Sequence, residues 1–233
     1  MSMRKLALLA VLLLLVFVGT ATAEFFSEKM HFQLQVVGQA AATETAWFGE
    51  PGEIREFSST TILDYGAQQG LYYTMGTIRA NQVETYILNV EWEESSVKIG
   101  VQKRENQVLV EYKDKKISIP WGEDLLLLDN NISWPWQLFY NFYREQPREE
   151  YRALIPQLVA SNYDPIVSLE IVKETVQEPD PETGEVFVDL VLQLGGNMGV
   201  LRADEKGDVH FIMFGASKME RLDIQDTGAE EIE

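Results

Sequence analysis

From Met30 onward the apolar residues of this chain recur at every second position, and that period limits the fold more than any other feature. Met30, Phe32, Leu34 and Val36 alternate with His31, Gln33 and Gln35; Tyr86, Leu88, Val90 and Trp92 alternate with Thr85, Asn89 and Glu91, with Ile87 the exception. Successive side chains of a strand point to opposite faces, so such alternation predicts strands with one face on a core. Val97, Ile99 and Val101 follow, then Val108, Val110 and Tyr112, then Ile117 and Ile119. The polar joints Glu93–Ser96, Arg104–Gln107 and Lys113–Lys116 are short enough that each strand must return beside the last. The first run ends at Gly38.

The second half repeats the pattern with larger turns. Val167, Leu169 and Ile171 lead into the acidic turn Glu178–Glu185, after which Val186, Val188, Leu190, Leu192 and Leu194 alternate up to Gly195-Gly196-Asn197. Residues 198–203 and 209–214 form a last pair around Asp204–Asp208, where Gly207 suits a tight polar hairpin.

One segment follows a helical period instead. Leu125–Leu128 and Asp129-Asn130-Asn131 run into Trp134-Pro135-Trp136 and the stretch Gln137–Gln146, with Pro147 closing it. Pro135 suits a first helical turn and Ser133 is placed to cap it. Trp136, Phe139, Tyr140 and Tyr143 share one side at this spacing, while Leu138 and Phe142 lie on another. A helix apolar nearly all round is a buried one, and a curved meander offers its concave face. The expected fold is therefore mainly β, of α+β type: a curved antiparallel sheet, meander or half-barrel, wrapped on one hydrophobic helix.

The N-terminus carries an address. Arg4 and Lys5 precede an apolar run from Leu6 to Val18, and Ala21-Thr22-Ala23 supplies small residues before Glu24. These are the parts of a secretory signal peptide. The expectation is a signal peptide at 1–23, a single β-rich domain at 24–225 and an acidic tail without periodicity at 226–233. A spanning helix needs about 20 apolar residues, so an uncleaved anchor is the alternative, and no stable membrane anchor is expected after cleavage. The protein is then exported, periplasmic or extracellular.

Composition narrows the partners. The formal net charge is −18 and becomes two units more negative if Arg4 and Lys5 are removed with the leader. That sign repels phosphate backbones, so nucleic acid is not an expected partner. The absence of cysteine excludes disulfides, thiolate metal sites, a cysteine nucleophile and a lipid-modified cysteine. A chain of about 200 residues buries enough apolar surface to dispense with disulfides.

The meander, the glycine-ended first strand, the leucine-rich element ending in Asp129-Asn130-Asn131 before a hydrophobic helix, and the final polar hairpin together resemble a family pattern. It is that of the exported half-barrel β-rich proteins related to the periplasmic lipoprotein carriers, and of the β-rich domain preceding some secreted α/β-hydrolases. Residues 129–131, Pro156-Gln157 and the pair 198–214 look most similar to the latter group. The resemblance covers most of the chain after the leader, is one of pattern, and includes no catalytic motif. It implies a module that holds acyl chains between a concave sheet and lid-like helices, although this chain has one helix candidate where the carriers have more. It also leaves open an orphan hydrolase-associated domain.

Signals for chemistry are sparse. His31 and His210 each sit among strand residues and are expected to point out of the sheet, and neither Gly-x-Ser-x-Gly nor His-Glu-x-x-His occurs. The acidic turn reads as a solvated hairpin tip, with calcium the alternative. Asn131-Ile132-Ser133 fits a glycosylation sequon but reads as turn and cap. No catalytic residue, metal site or cofactor is therefore assigned. The ring-bearing residues Trp92, Trp134, Trp136, Phe139, Phe142 and Tyr143 are the candidate ligand-binding set, since apolar pockets with few polar groups bind small molecules. Plain core packing would use the same rings in the same way. The expected function is a non-catalytic binding or carrier module for an apolar, lipid-like ligand. The alternative is a cell-envelope protein-interaction or structural module.

Overall fold

The computed structural model describes residues 26–222 except 38, 65–68, 93–94, 130–131 and 182, with backbone alone for 26, 27 and 39. The expected leader, the acidic tail, Gly38 and Asn131 lie outside the described residues. The chain runs as a first meander of β1 (Phe26–Val36), β2 (Gln39–Gly49), β3 (Arg55–Asp64), β4 (Gln69–Arg79), β5 (Gln82–Trp92), β6 (Ser95–Arg104), β7 (Gln107–Tyr112) and β8 (Lys115–Pro120). A short β9 (Leu125–Leu127), helix α1 (Trp134–Glu145), β10 (Glu150–Leu154) and a one-turn α2 (Gln157–Ala160) follow. A second meander then comprises β11 (Ile166–Val176), β12 (Phe187–Leu194), β13 (Asn197–Asp204), β14 (Val209–Phe214) and β15 (Ser217–Arg221).

All fifteen described strands belong to one curved sheet in the order β8 to β1, then β15 to β9. Its two halves join where β1 pairs antiparallel with β15, Leu34 opposite Met219 and Phe32 opposite Arg221. The pair 198–214 is therefore not the last of the sheet. β15 follows it and completes the join, and with Met219 its single buried side chain it has almost no apolar period to read. Every pairing is antiparallel except β9 with β10. The sheet does not close: β8 and β9 are its two edges.

The helix lies inside the curve. Its residues from Trp134 to Tyr140, with Phe142 and Tyr143, are all buried, and only its C-terminal end reaches solvent. The helix starts within a residue of the expected position, and the two-sided apolar character of Gln137–Gln146 is satisfied by sheet on both sides. Trp134 packs on Phe48, Phe57 and Tyr86 of the first meander, and Trp136 on Phe214 of the second. Burying a ring of this size is worth roughly 4–6 kcal/mol as an upper figure.

The strands under the start of α1 carry small or polar residues at their inward positions: Ala42, Glu44 and Ala46 on β2, Ser59 and Thr61 on β3, Gly70, Thr74 and Gly76 on β4. Large rings projecting from the helix leave little depth there. Gly76 marks the tightest place, since a Cβ would run into the Thr85 carbonyl and the Phe57 ring. Among the described residues no helix is long and apolar enough to cross a membrane.

Candidate functional site

Two regions inside the sheet depart from simple apolar packing. The first is a crease along the unclosed side. There Val83, Val101 and Val108 of β5–β7 face Leu126 of β9 and Pro135 and Leu138 of α1, with Trp121, Asn81 and Gln82 at the mouth. Counted out to that mouth the crease is about 440 Å³, but it narrows to about 20 Å³ of enclosed space, room for about one water. The edges beside it are tied by side chains rather than by a ladder. Arg152 of β10, held on its own side by both carboxylate oxygens of Asp124 at 2.5 and 2.9 Å, donates across to the Pro120 carbonyl at the end of β8 at 3.3 Å. Lys115 at the start of β8 reaches Asn162 beyond α2.

The structure divides the six candidate rings among several neighbourhoods. Trp134 is sandwiched among Phe57 (4.2 Å between centroids), Phe48 (6.0 Å) and Tyr86 (6.4 Å). Trp136 meets Phe139 at 5.9 Å, and Tyr151 receives both Phe139 and Phe142, at 5.7 and 6.3 Å. Tyr143 stacks obliquely on Phe139 at 6.2 Å, and its hydroxyl donates to Glu174 at 2.5 Å; burial, with that bond, raises its pKa above the ordinary tyrosine range. Trp92 sits apart, half-buried at the end of β5 over Gly70, whose missing Cβ leaves space for the indole. Of the six, Phe139 alone lines the crease.

The second region is polar and was not anticipated. Glu44 projects inward from β2 between Ala42 and Ala46 and is 4% exposed. Its Oε2 accepts the Ser133 backbone N–H at 2.6 Å, and the Ser133 hydroxyl and the Trp134 N–H also stabilise the carboxylate. Ser133 occupies the N-cap position of α1 as expected, but its side chain makes no capping bond. The first-turn donors are met instead by an acid from across the core, which ties the helix to the sheet. Asp129, 1% exposed, accepts the Tyr86 hydroxyl at 2.5 Å.

The electrostatics follow from burial. Desolvation pushes the Glu44 carboxyl up to about 8, the charge of Asp129 adds to that rise, and the Ser133 and Trp134 donors oppose it. Tyr86 is driven well above the usual tyrosine range, first by desolvation and then by Asp129 and Glu44. One available signal for Glu44 was parity, a single acid in phase with Ala42, Ala46 and Phe48 on a strand whose face is otherwise small and apolar. Gln137 is a second missed residue. From the buried helix its amide donates to the Gly207 carbonyl at 2.6 Å and accepts the Val209 N–H at 2.9 Å, docking α1 on the β13–β14 hairpin.

Both histidines face outward with partners of their own. His31 Nδ1 lies 3.1 Å from the Thr45 hydroxyl, and His210 Nε2 lies 3.2 Å from Asp204 with its ring edge-on to Phe187 at 5.0 Å. The acidic turn closes on itself: Asp180 Oδ1 accepts the Thr183 N–H, and the Asp180 carbonyl accepts the Gly184 N–H. Among the described residues no group of three or more His, Asp or Glu side chains is arranged to hold a metal ion.

No protein-family model and no curated protein matches this chain. Among solved structures it is similar to a β-barrel-like protein of a domain of unknown function, DUF1849, from Brucella abortus, at 8% identity and a TM-score of 0.46, covering 83% of this chain and 93% of that one. It is also similar to a DUF1089 family protein from Pseudomonas aeruginosa, at 12% identity and a TM-score of 0.46, covering 72% of this chain and 87% of that one.

Proposed function

We propose that this chain is an exported, non-catalytic binding module that takes the end of an apolar, lipid-like chain into the crease between α1 and the unpaired edges of the sheet. The observation that carries this reading is the position of the crease. Its inner walls are aliphatic and aromatic, and it lies where the β8 edge is held to the other half by the Arg152–Pro120 and Lys115–Asn162 contacts rather than by strand pairing. Admitting a ligand there parts a few side chains and leaves the backbone ladder intact. Export rests on the leader-like pattern of the first 23 residues.

The test is titration of the protein with a fluorescent fatty-acid analogue, alongside a Leu138→Trp variant that fills the crease. Saturable uptake by the wild type and its loss in a stably folded Leu138→Trp supports the reading. Absence of uptake by the wild type overturns it.

A second reading, a cell-envelope interaction module, is favoured by the outward face of β2–β5. Ile62 and Met75 are 51% and 42% exposed there, beside the half-buried Trp47, Tyr73 and Ile87. Apolar patches of this kind mark contact surfaces. An apolar dye that binds the wild type but not an Ile62→Glu, Met75→Glu variant, with no fatty-acid uptake, would move the assignment to this face.

A further inference from the structure

Four separate pieces of the chain converge on the Glu44 carboxyl: β2, which carries it; β5, which supplies Tyr86; the segment after β9, which supplies Asp129; and the start of α1. The two carboxyls are among the most buried polar groups of the protein, and the charge of each acts on the other. A carboxylate out of contact with water is costly and a second like charge acting on it adds to that cost, so one proton is retained there.

The hydrogen bonds say where it resides. Asp129 accepts a 2.5 Å bond from the Tyr86 hydroxyl, the short length of a charge-assisted donor. Glu44 has one oxygen on the Ser133 N–H, while Oε1 has no partner among the described residues. An unpartnered oxygen is tolerable on a neutral carboxyl and expensive on a buried carboxylate. Among the described residues that act on Glu44 none is a cation. From β1 the neighbour is Phe32, from β3 Thr61, from β4 Tyr72, and from α1 Trp134. Arg221, opposite Phe32 on β15, is paired with Asp208 at 2.7 Å, and His31 on β1 faces outward to Thr45.

We propose that Glu44 is a protonation latch for α1: with its proton in place the start of the helix is docked on the sheet, and its removal leaves an uncompensated charge in the core and releases the helix start. The latch stands independently of the ligand reading, although Pro135 and Leu138 of the same helix form one wall of the crease.

The direction follows from the raised Glu44 carboxyl. Its stabilising contribution is complete below the ordinary glutamate range near 4.5, and it is lost as pH rises toward about 8. Within that window the folding equilibrium constant falls by up to about tenfold per pH unit.

The test pairs carbon-13 NMR of labelled glutamate carboxyls with denaturant midpoints from about pH 5 to 9. One carboxyl resonance should titrate near 8 in the wild type and be missing from Glu44→Gln. The wild-type midpoint should fall across the range while that of Glu44→Gln stays flat. Amide exchange at Ser133 and Trp134 should accelerate between about pH 5 and 8 by more than the tenfold per pH unit of free amides, and by no more than that above the titration point. If Glu44→Gln does not fold, Asp129→Asn takes its place: removing the neighbouring charge should move the Glu44 titration to lower pH. A Glu44 resonance titrating with the ordinary carboxyls, or a wild-type midpoint unchanged over the range, overturns the proposal.

Discussion

Arg152 and Asp124 are joined three times over: Nε to Oδ2 at 2.5 Å, Nη2 to Oδ1 at 2.9 Å, and the Arg152 backbone N–H to the Asp124 carbonyl at 2.9 Å. The pair sits on one side of the sheet opening, where β10 pairs in parallel with β9, and from it Arg152 Nη1 reaches the Pro120 carbonyl at the end of β8 at 3.3 Å; Gly122 lies beneath, where any Cβ would strike both side chains. A planar fork on a carboxylate holds geometry as well as charge.

Both side chains of this tie are about one-third exposed, so solvent screens it. Arg152→Ala should cost about 1 kcal/mol, with faster amide exchange confined to β8–β10. Gly122→Ala should cost no more than about 1 kcal/mol, because its methyl meets the ends of the same two part-exposed side chains, which swing aside at the cost of the tie. Denaturant midpoints and residue-resolved exchange measure both.

Acid should weaken the same tie. The Arg152 guanidinium holds the Asp124 carboxyl below the usual aspartate range, and Arg202 does the same for Asp189. Each contributes stability that is present above the ordinary aspartate pKa and lost as pH falls through the lowered one. Midpoints between about pH 2 and 7 should fall less on acidification for Arg152→Met and Arg202→Met than for the wild type.

Phe139 separates packing from binding. It is 1% exposed and touches Trp136, Tyr143 and Tyr151. Phe139→Ala should therefore lose about 3–5 kcal/mol, read from the denaturant midpoint. A loss below about 1 kcal/mol would mean that the surroundings collapse onto the vacated space, contrary to the close-packed interior.

Two strand glycines should respond in opposite ways. Gly76→Ala drives a methyl into the Thr85 carbonyl and should cost about 1–3 kcal/mol. Gly100→Ala points into open space and should be neutral or stabilise by up to about 1 kcal/mol, because it restricts the unfolded chain. Thermal midpoints of the two variants test the contrast.

Gln137 should be the most sensitive polar residue of α1. Gln137→Leu leaves the Val209 N–H and the Gly207 carbonyl without their buried partner, a loss of about 1–3 kcal/mol. Faster exchange of the Val209 amide in that variant locates the effect.

The linear chain determined most of the architecture where each inward position carries an aliphatic or aromatic side chain. β5 to β8 and β11 to β14 were legible because Tyr86, Leu88, Ile99, Val110, Leu190 and Leu201 keep period two on their own. The helix was legible because Trp134–Tyr143 is apolar on two sides, which only an enclosed position satisfies. β2 to β4 showed no such period. Beneath the start of α1 their inward residues are small or polar to admit its rings, a requirement set by a segment about sixty to ninety positions away in the sequence. The same distance hid Glu44: one acid among alanines becomes a helix cap only when the fold brings Ser133 to within 2.6 Å of it. The division of the six rings among packed neighbourhoods, and the placing of Phe139 alone on the crease, likewise depend on which strands curve around which side of the helix. A one-dimensional pattern specifies which face a residue takes, whereas its partner across the core is chosen by the curvature of the whole sheet.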